Sequence, residues 1–344
     1  MKSIIRNGLA GLASAVMAAT LGAGSSAAAE SLRLAHFLPP QHPVHAAAEA
    51  WAASIAQASG GELKVDLFPA QQLGAAFDHY NLARDGIADI AAVNPGYQPG
   101  RFAIAGAIEL PMMLSNATGG SQAVDEWYRD YAGIDMPDVH FCMATIHEPA
   151  SFHTATKAVM VPEDVRGLRV RTGNATIAQF VQALGGSNIQ GSTAEVKDIL
   201  DKGVADSVTW PWGSVILFGV AGSVKHHLDI PLSVSSLMFV VNKRKYDSLT
   251  EANRKVLDDH CTSEWAKRVA TPWAEFEAAG LGKLEAMEGH TIERPDAAQQ
   301  ALWKAAAAPV VEAWANEVAA KGEDAAAILE RLKRIAAAHG AAAE

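Results

Sequence analysis

The chain has 344 residues, 49% of them hydrophobic and 19% charged, which is enough apolar material for a sizeable core and excludes a disordered or fibrous chain. Its 28 Lys and Arg against 38 Asp and Glu give a formal charge of -10, and no basic block interrupts that acidity, which argues against a phosphate-tracking nucleic-acid binder. Two cysteines, Cys142 and Cys261, are too few for a disulfide-dense scaffold, a four-thiolate zinc site or an iron–sulfur centre, and allow at most one bridge.

Met1 to Ala29 reads as a secretory signal. Lys2 and Arg6 supply the positive start, Leu9 to Leu21 a short apolar run, and Ala27-Ala28-Ala29 a small-residue cleavage site. That run is well short of the roughly 20 residues needed to span a bilayer, so cleavage and export are expected rather than anchoring. No later hydrophobic stretch reaches about 18 residues, and no cysteine follows the cleavage site to carry a lipid. At about 150 residues per domain, residues 30–344 suggest two lobes. In an oxidising compartment Cys142 and Cys261 could pair. Cys142, however, sits in the apolar run Val139-His140-Phe141-Cys142-Met143, and a buried free thiol is the expected state.

From Leu32 short β-rich runs alternate with helical stretches: Leu32 to Phe37, a helix from Pro43 to about Ala58, Leu63 to Phe68, a helix from about Ala75 to Arg84, then Ala88 to Asn94. This is the rhythm of an α/β domain. It resumes after Glu148 with Leu168 to Arg171, helices from about Ala175 to Leu184 and Thr193 to Lys202, and a strand from Asp206 to Thr209. Ser192 with Glu195, and Ser248 with Glu251, have capping-box spacing at helix starts. From Thr250 onward the chain is rich in Ala, Glu and Lys and reads as helices wrapping the lobes.

One arrangement occurs twice. Asp85-Gly86-Ile87-Ala88-Asp89 leads into a strand ending Asn94-Pro95, and Lys202-Gly203-Val204-Ala205-Asp206 into one ending Trp210-Pro211. Gly supplies the left-handed turn that closes each helix, and Pro stops pairing where the strand emerges. Ligands of open α/β sheets bind beyond the carboxyl ends of strands, so Asn94 and Trp210 become candidate facing residues of a cleft between two lobes.

Familiar catalytic patterns fail. His147-Glu148 begins like a zinc-protease motif, but Ser151 stands where the second His belongs and Pro149 opposes the helix. His42 with His45, and His226-His227, lack a nearby carboxylate or cysteine to complete a tetrahedral site, and read as solvated or capping. There is no G-x-S-x-G elbow, Walker loop or strand-bound G-x-G-x-x-G, so no enzyme is visible. Leu168-Arg169-Val170-Arg171-Thr172-Gly173-Asn174 is a strand running into a Gly turn and a helix. Alternation puts Arg169 and Arg171 on one face, with Arg171 at the carboxyl end and Asn174 three residues on. A guanidinium there can clasp a carboxylate through two parallel hydrogen bonds, or pair with a structural acid.

Together, Phe68-Pro69-Ala70-Gln71-Gln72-Leu73-Gly74, the Gly86/Asp89 turn, Gly167 to Arg171, Glu195 followed by Gly203, Asp206 and Trp210-Pro211, and Val240-Val241-Asn242-Lys243 resemble the periplasmic solute-binding proteins of tripartite ATP-independent (TRAP) transporters, the DctP family. The likeness spans about Leu32 to Asp259. It implies an α/β, two-lobed (Venus-flytrap) periplasmic binding protein with crossing strands and long C-terminal helices, without catalysis or cofactor, delivering a small organic acid to small and large TRAP membrane subunits. Lobe I is expected over residues 30–148 plus about 236–275, lobe II over 149–235 plus about 276–320, with a helical tail at 321–344. The resemblance makes Arg171 the carboxylate anchor and Asn174 its neighbour, with Phe37, Phe77 and Asn94 on the first lobe and Trp210, Phe152 and His153 on the second. A second cation that some sialic-acid-binding members place before this strand is missing, since that stretch reads Pro149-Ala150-Ser151-Phe152-His153. A monocarboxylate with an apolar or aromatic body is therefore expected. A metal-binding transport protein and a periplasmic enzyme of unknown reaction stand as alternatives.

Overall fold

The computed structural model describes residues 29–343, so the leader expected over Met1 to Ala29 lies outside the described residues except for Ala29. In chain order the strands are β1 (Glu30–Ala35), β2 (Leu63–Phe68), β3 (Ile90–Val93), β4 (Val139–Ile146), β5 (Ser151–Thr154), β6 (Arg169–Arg171), β7 (Ser187–Ile189), β8 (Ser207–Trp210), β9 (His226–Leu228), β10 (Ser236–Asn242) and β11 (Thr291–Glu293). They form two sheets, ordered β2-β1-β3-β10-β4 and β11-β9-β5-β8-β6-β7. β1 runs parallel to β2 and β3, and β6 parallel to β7 and β8, as crossover helices require. β10 is antiparallel to β3 and β4 because it re-enters the first sheet from the second.

The chain passes between the sheets after β4 and again before β10, and the two passages lie side by side. Ala150 and Ser233 form an antiparallel bridge, and Ser235 N donates to His147 Nε2 at 2.9 Å. A third connection is the 23-residue helix Ser263–Glu285, about 34 Å long at 1.5 Å per residue. It packs on the helices Pro43–Ala58 and Ala117–Tyr128 at one end and on Trp212–Leu217 at the other. Close approach at the far end needs Gly280, where a Cβ would fall 2.2 Å from Gly213 N. There the buried Glu277 accepts from Ser214 N at 2.8 Å, satisfying a donor that the start of the short helix leaves open.

The duplicated turn is present in both sheets. Gly86 and Gly203 adopt φ of 79° and 63°. In each case an arginine of the neighbouring strand holds the turn shut: Arg33 Nη2 donates to Gly86 O at 2.9 Å and Nε to Asp89 at 3.0 Å, and Arg169 Nη1 donates to Gly203 O at 2.8 Å and Nε to Asp206 at 3.1 Å. Such half-exposed pairs contribute at most about 1 kcal/mol each, so their consequence is geometric: they register the strand that carries Asn94 or Trp210.

Three expectations are corrected. Cys142 and Cys261 are joined in a disulfide, because β4 turns Cys142 toward the start of the long helix, where Cys261 is also buried. Ser248 caps nothing. It ends the helix Lys243–Ser248 with its hydroxyl donating to Lys245 O, and Thr250 caps the next helix by accepting from Asn253 N at 3.1 Å. His227 is fully buried rather than solvated. The Ser192–Glu195 pairing forms, with Ser192 N and Oγ both donating to Glu195 Oε2 at 2.7 Å. The C-terminal helix Ala325–Ala338 packs on Ala117–Tyr128, and Ala342 bridges Leu114 of the first half.

Candidate functional site

Where the carboxyl ends of β1, β3, β6 and β8 face each other, a cavity of about 600 Å³ of atom-free space opens partly to solvent. Arg171 ends β6 and is completely buried. Its Nε and Nη2 donate to Gly191 O at 3.1 and 2.9 Å, while Nη1 finds no partner among the described residues. No carboxylate among them forms an ion pair with it, unlike Arg169 on Asp206. Burial lowers the guanidinium's pKa from its ordinary value, opposed by the nearby Tyr97 and Glu195. A buried cation with an unpartnered N–H is a strong hydrogen-bond donor site for an anion.

Trp210, at the end of β8, carries that guanidinium over its indole at 5.4 Å and stacks on Phe218 at 4.8 Å. Across the cleft, Phe37 and Asn94 follow β1 and β3, and Asn94 Oδ1 is buried with no partner among the described residues. Asn174 lines the cavity, but its side chain is already committed. Oδ1 caps the helix Ala175–Ala183 through Ile177 N at 2.8 Å, and Nδ2 donates to Ser235 Oγ at 3.0 Å and Val234 O at 3.2 Å. It therefore joins the post-β6 turn to a crossing segment.

Five of the eight expected residues thus line one cavity: Phe37, Asn94, Arg171, Asn174 and Trp210. Phe77 lines a neighbouring cavity and lies against Tyr97 at 4.8 Å. Phe152 and His153 lie outside both. They are consecutive on β5, an interior strand, so they point to opposite faces and both faces are covered. Phe152 packs in the core at 5.8 Å from Trp303. His153 Nε2 meets Trp210 O at 2.8 Å, and its Nδ1 begins a row through His227 to His290 with both contacts at 2.8 Å. Burial holds His153 at about 4 and His227 at about 2, so the row is neutral and supports Trp210 from beneath.

Sequence reasoning missed Tyr97, His42, His147 and Trp273, which also line the cavity. Tyr97 stands three residues beyond the Asn94 already singled out, and that proximity was the available signal. His147 came up only as a zinc-motif fragment. Burial holds His42 at about 3 and His147 at about 4, so both present neutral rings, and His42 packs edge-on to Trp273 at 5.3 Å. Among the described residues no three His, Cys, Asp or Glu side chains are grouped to hold a metal ion.

Behind the cavity, Glu109 is buried beneath Gly96 and Asn174. A Cβ on Gly96 would fall 2.6 Å from its carboxylate oxygens. Burial raises its pKa to about 8. The unfolded carboxyl ionises near 4.3, so the folded state retains the proton longer and stability falls as pH rises from there to about 8. Glu109→Gln carries no such titration. Its melting temperature relative to wild type should climb from about pH 5 to about pH 8 and then level off. A flat difference across that range by scanning calorimetry would mean that Glu109 ionises normally.

Residues 34–317 match the family model for bacterial extracellular solute-binding proteins, family 7, named DctP. The chain belongs to that family, the periplasmic solute-binding proteins of TRAP transporters, and has its two-lobed α/β fold. It is similar to a TRAP solute-binding protein from Rhodoferax ferrireducens in complex with copurified benzoate: 27% identity, TM-score 0.85, covering 90% of this chain and 98% of that one. A marine-metagenome TRAP solute-binding protein specific for aromatic acid ligands, with 3-hydroxybenzoate, matches at 29% identity and TM-score 0.84, covering 90% and 99%. The 2,3-diketo-L-gulonate-binding periplasmic protein YiaO of Escherichia coli is 26% identical over 243 residues, 68% of this chain and 72% of that protein. Among the described residues no helix is long and apolar enough to cross a membrane.

Proposed function

We propose that this protein captures a small monocarboxylate with an aromatic or apolar body in the periplasm and delivers it to TRAP membrane subunits. The observation that carries this reading is Arg171, a buried cation with an unpartnered N–H and no ion-paired carboxylate among the described residues. It is the single Lys or Arg among the described residues lining the cavity, and the lining histidines are neutral, so a second solute carboxylate would be buried without a partner. Phe37, Trp210, Phe218 and Trp273 supply apolar faces for a ring. The two solved relatives with benzoate and 3-hydroxybenzoate support the same class.

Residues 30–148 with about 236–275 act as one lobe and 149–235 with about 276–320 as the other, hinged at the crossings near Glu148 and Ser235. Solute entry needs the lobes apart, and recognition needs them together. Mass spectrometry of small molecules released from gently purified protein should find an aromatic or branched aliphatic monoacid, and a thermal-shift panel should rank such acids above C4 dicarboxylates and sugar acids. Stabilisation by dicarboxylates or sugar acids alone would refute the class. Small-angle scattering with saturating solute should give a smaller radius of gyration, whereas unchanged curves would mean a rigid site.

A further inference from the structure

The Arg171 cavity has a neighbour, a second cavity of about 700 Å³ of atom-free space that is partly open to solvent. Both are lined by Tyr97, Gly173 and Asn174, so these residues are the partition between them. Phe37 lines only the first and Phe77 only the second, and the Tyr97 ring lies between, 5.6 Å from Phe37 and 4.8 Å from Phe77. Tyr97 is buried, and its hydroxyl shares a 3.0 Å hydrogen bond with Thr193 Oγ1, so a residue following β3 reaches one preceding β8. The same hydroxyl stands near the Arg171 guanidinium. Gly191, whose carbonyl takes two of the Arg171 N–H bonds, lines the second cavity.

The partition therefore stands beside the head group of the site rather than at its far end. A solute carboxylate on Arg171 places its adjoining carbon alongside Tyr97, and a bulky second substituent on that carbon has the second cavity as its outlet. Gln179, Gln182, Asn188 and Gln190 line that space with uncharged amides, and Phe77 offers it an aromatic face. We propose that Tyr97 is a specificity-determining residue: it walls the Arg171 cavity off from the second cavity and excludes acids that carry a second bulky group next to the carboxylate. This rests on the reading of Arg171 as the carboxylate anchor.

The test uses pairs of acids that differ by one phenyl group beside the carboxyl: benzoate and biphenyl-2-carboxylate, phenylacetate and diphenylacetate, mandelate and diphenylglycolate. Calorimetry on the full exported chain gives, for each pair, the ratio of affinities for the parent and the diphenyl acid. Wild type should prefer the parent strongly. In Tyr97→Ala the ratio should fall at least about tenfold, the discrimination that a changed apolar wall commonly carries. Tyr97→Leu should shift it in the same direction, and decides the matter if the Ala variant does not fold. Tyr97→Phe keeps the wall and should keep the ratio. A wild type that takes both members of each pair alike, or a ratio unmoved in the Ala and Leu variants while parents still bind, overturns the wall and leaves the anchor standing. Loss of the parent acids in those variants makes Tyr97 a binding contact and also overturns it. If no parent acid binds wild type, the reading of the site falls and this inference with it.

Discussion

Arg171→Ala is expected to weaken solute binding by about 2 to 5 kcal/mol, the usual cost of truncating one partner of a buried, hydrogen-bonded charge pair. Arg171→Lys should lose a clear part of that, since an ammonium keeps the charge but not the planar fork. The solute-free protein should behave in the opposite sense. Arg171 is buried with no ion-paired carboxylate among the described residues, and its acceptor Gly191 O borders a cavity open to water that can replace it. Without solute, Arg171→Met should therefore unfold at or above the wild-type temperature while binding is lost. Calorimetric titration and thermal unfolding of the same samples decide it. Undiminished affinity in Arg171→Ala would remove the anchor. A solute-free Arg171→Met several degrees less stable would mean that the guanidinium is a structural strut.

Removing the disulfide should have the largest effect on stability. The bridge closes a segment of 119 residues, for which chain entropy alone predicts somewhat under 5 kcal/mol and native bridges typically give about 2 to 5 kcal/mol. It fastens β4, which leads into the first crossing, to the start of the long helix that forms the third connection. Urea unfolding of Cys142→Ala/Cys261→Ala against wild type should show a loss in that range, with solute affinity changed much less because neither sulfur reaches the cavity. A loss below about 1 kcal/mol would argue that the thiols are not bridged in the folded protein.

Local pattern sufficed where the physics is local. The strands Leu63–Phe68 and the helix Pro43–Ala58 agree with the residue-by-residue reading, because alternation and the proline start need no distant partner. The Gly86 and Gly203 turns are equally legible, since left-handed backbone is what glycine permits. Arg171 stood out because strand parity and the Gly turn after it fix where its side chain leaves the sheet.

What chain order could not decide is which side of an element becomes covered. Phe152 inside β5 and Trp210 at the end of β8 are both buried aromatics. One packs against Trp303, about 150 residues away in sequence on a helix contributed by the far end of the chain, and the other stacks on Phe218 and faces the cavity. Cys142 found Cys261, His153 found His227 and His290, and Tyr97 came to line two cavities for the same reason. Residue patterns alone specify the alternating elements, the two turns, the family and the arginine at a strand end. Pairing, burial and the walls of the cavity were decided by tertiary structure, since they depend on contacts between segments whose separation along the chain carries no local periodicity.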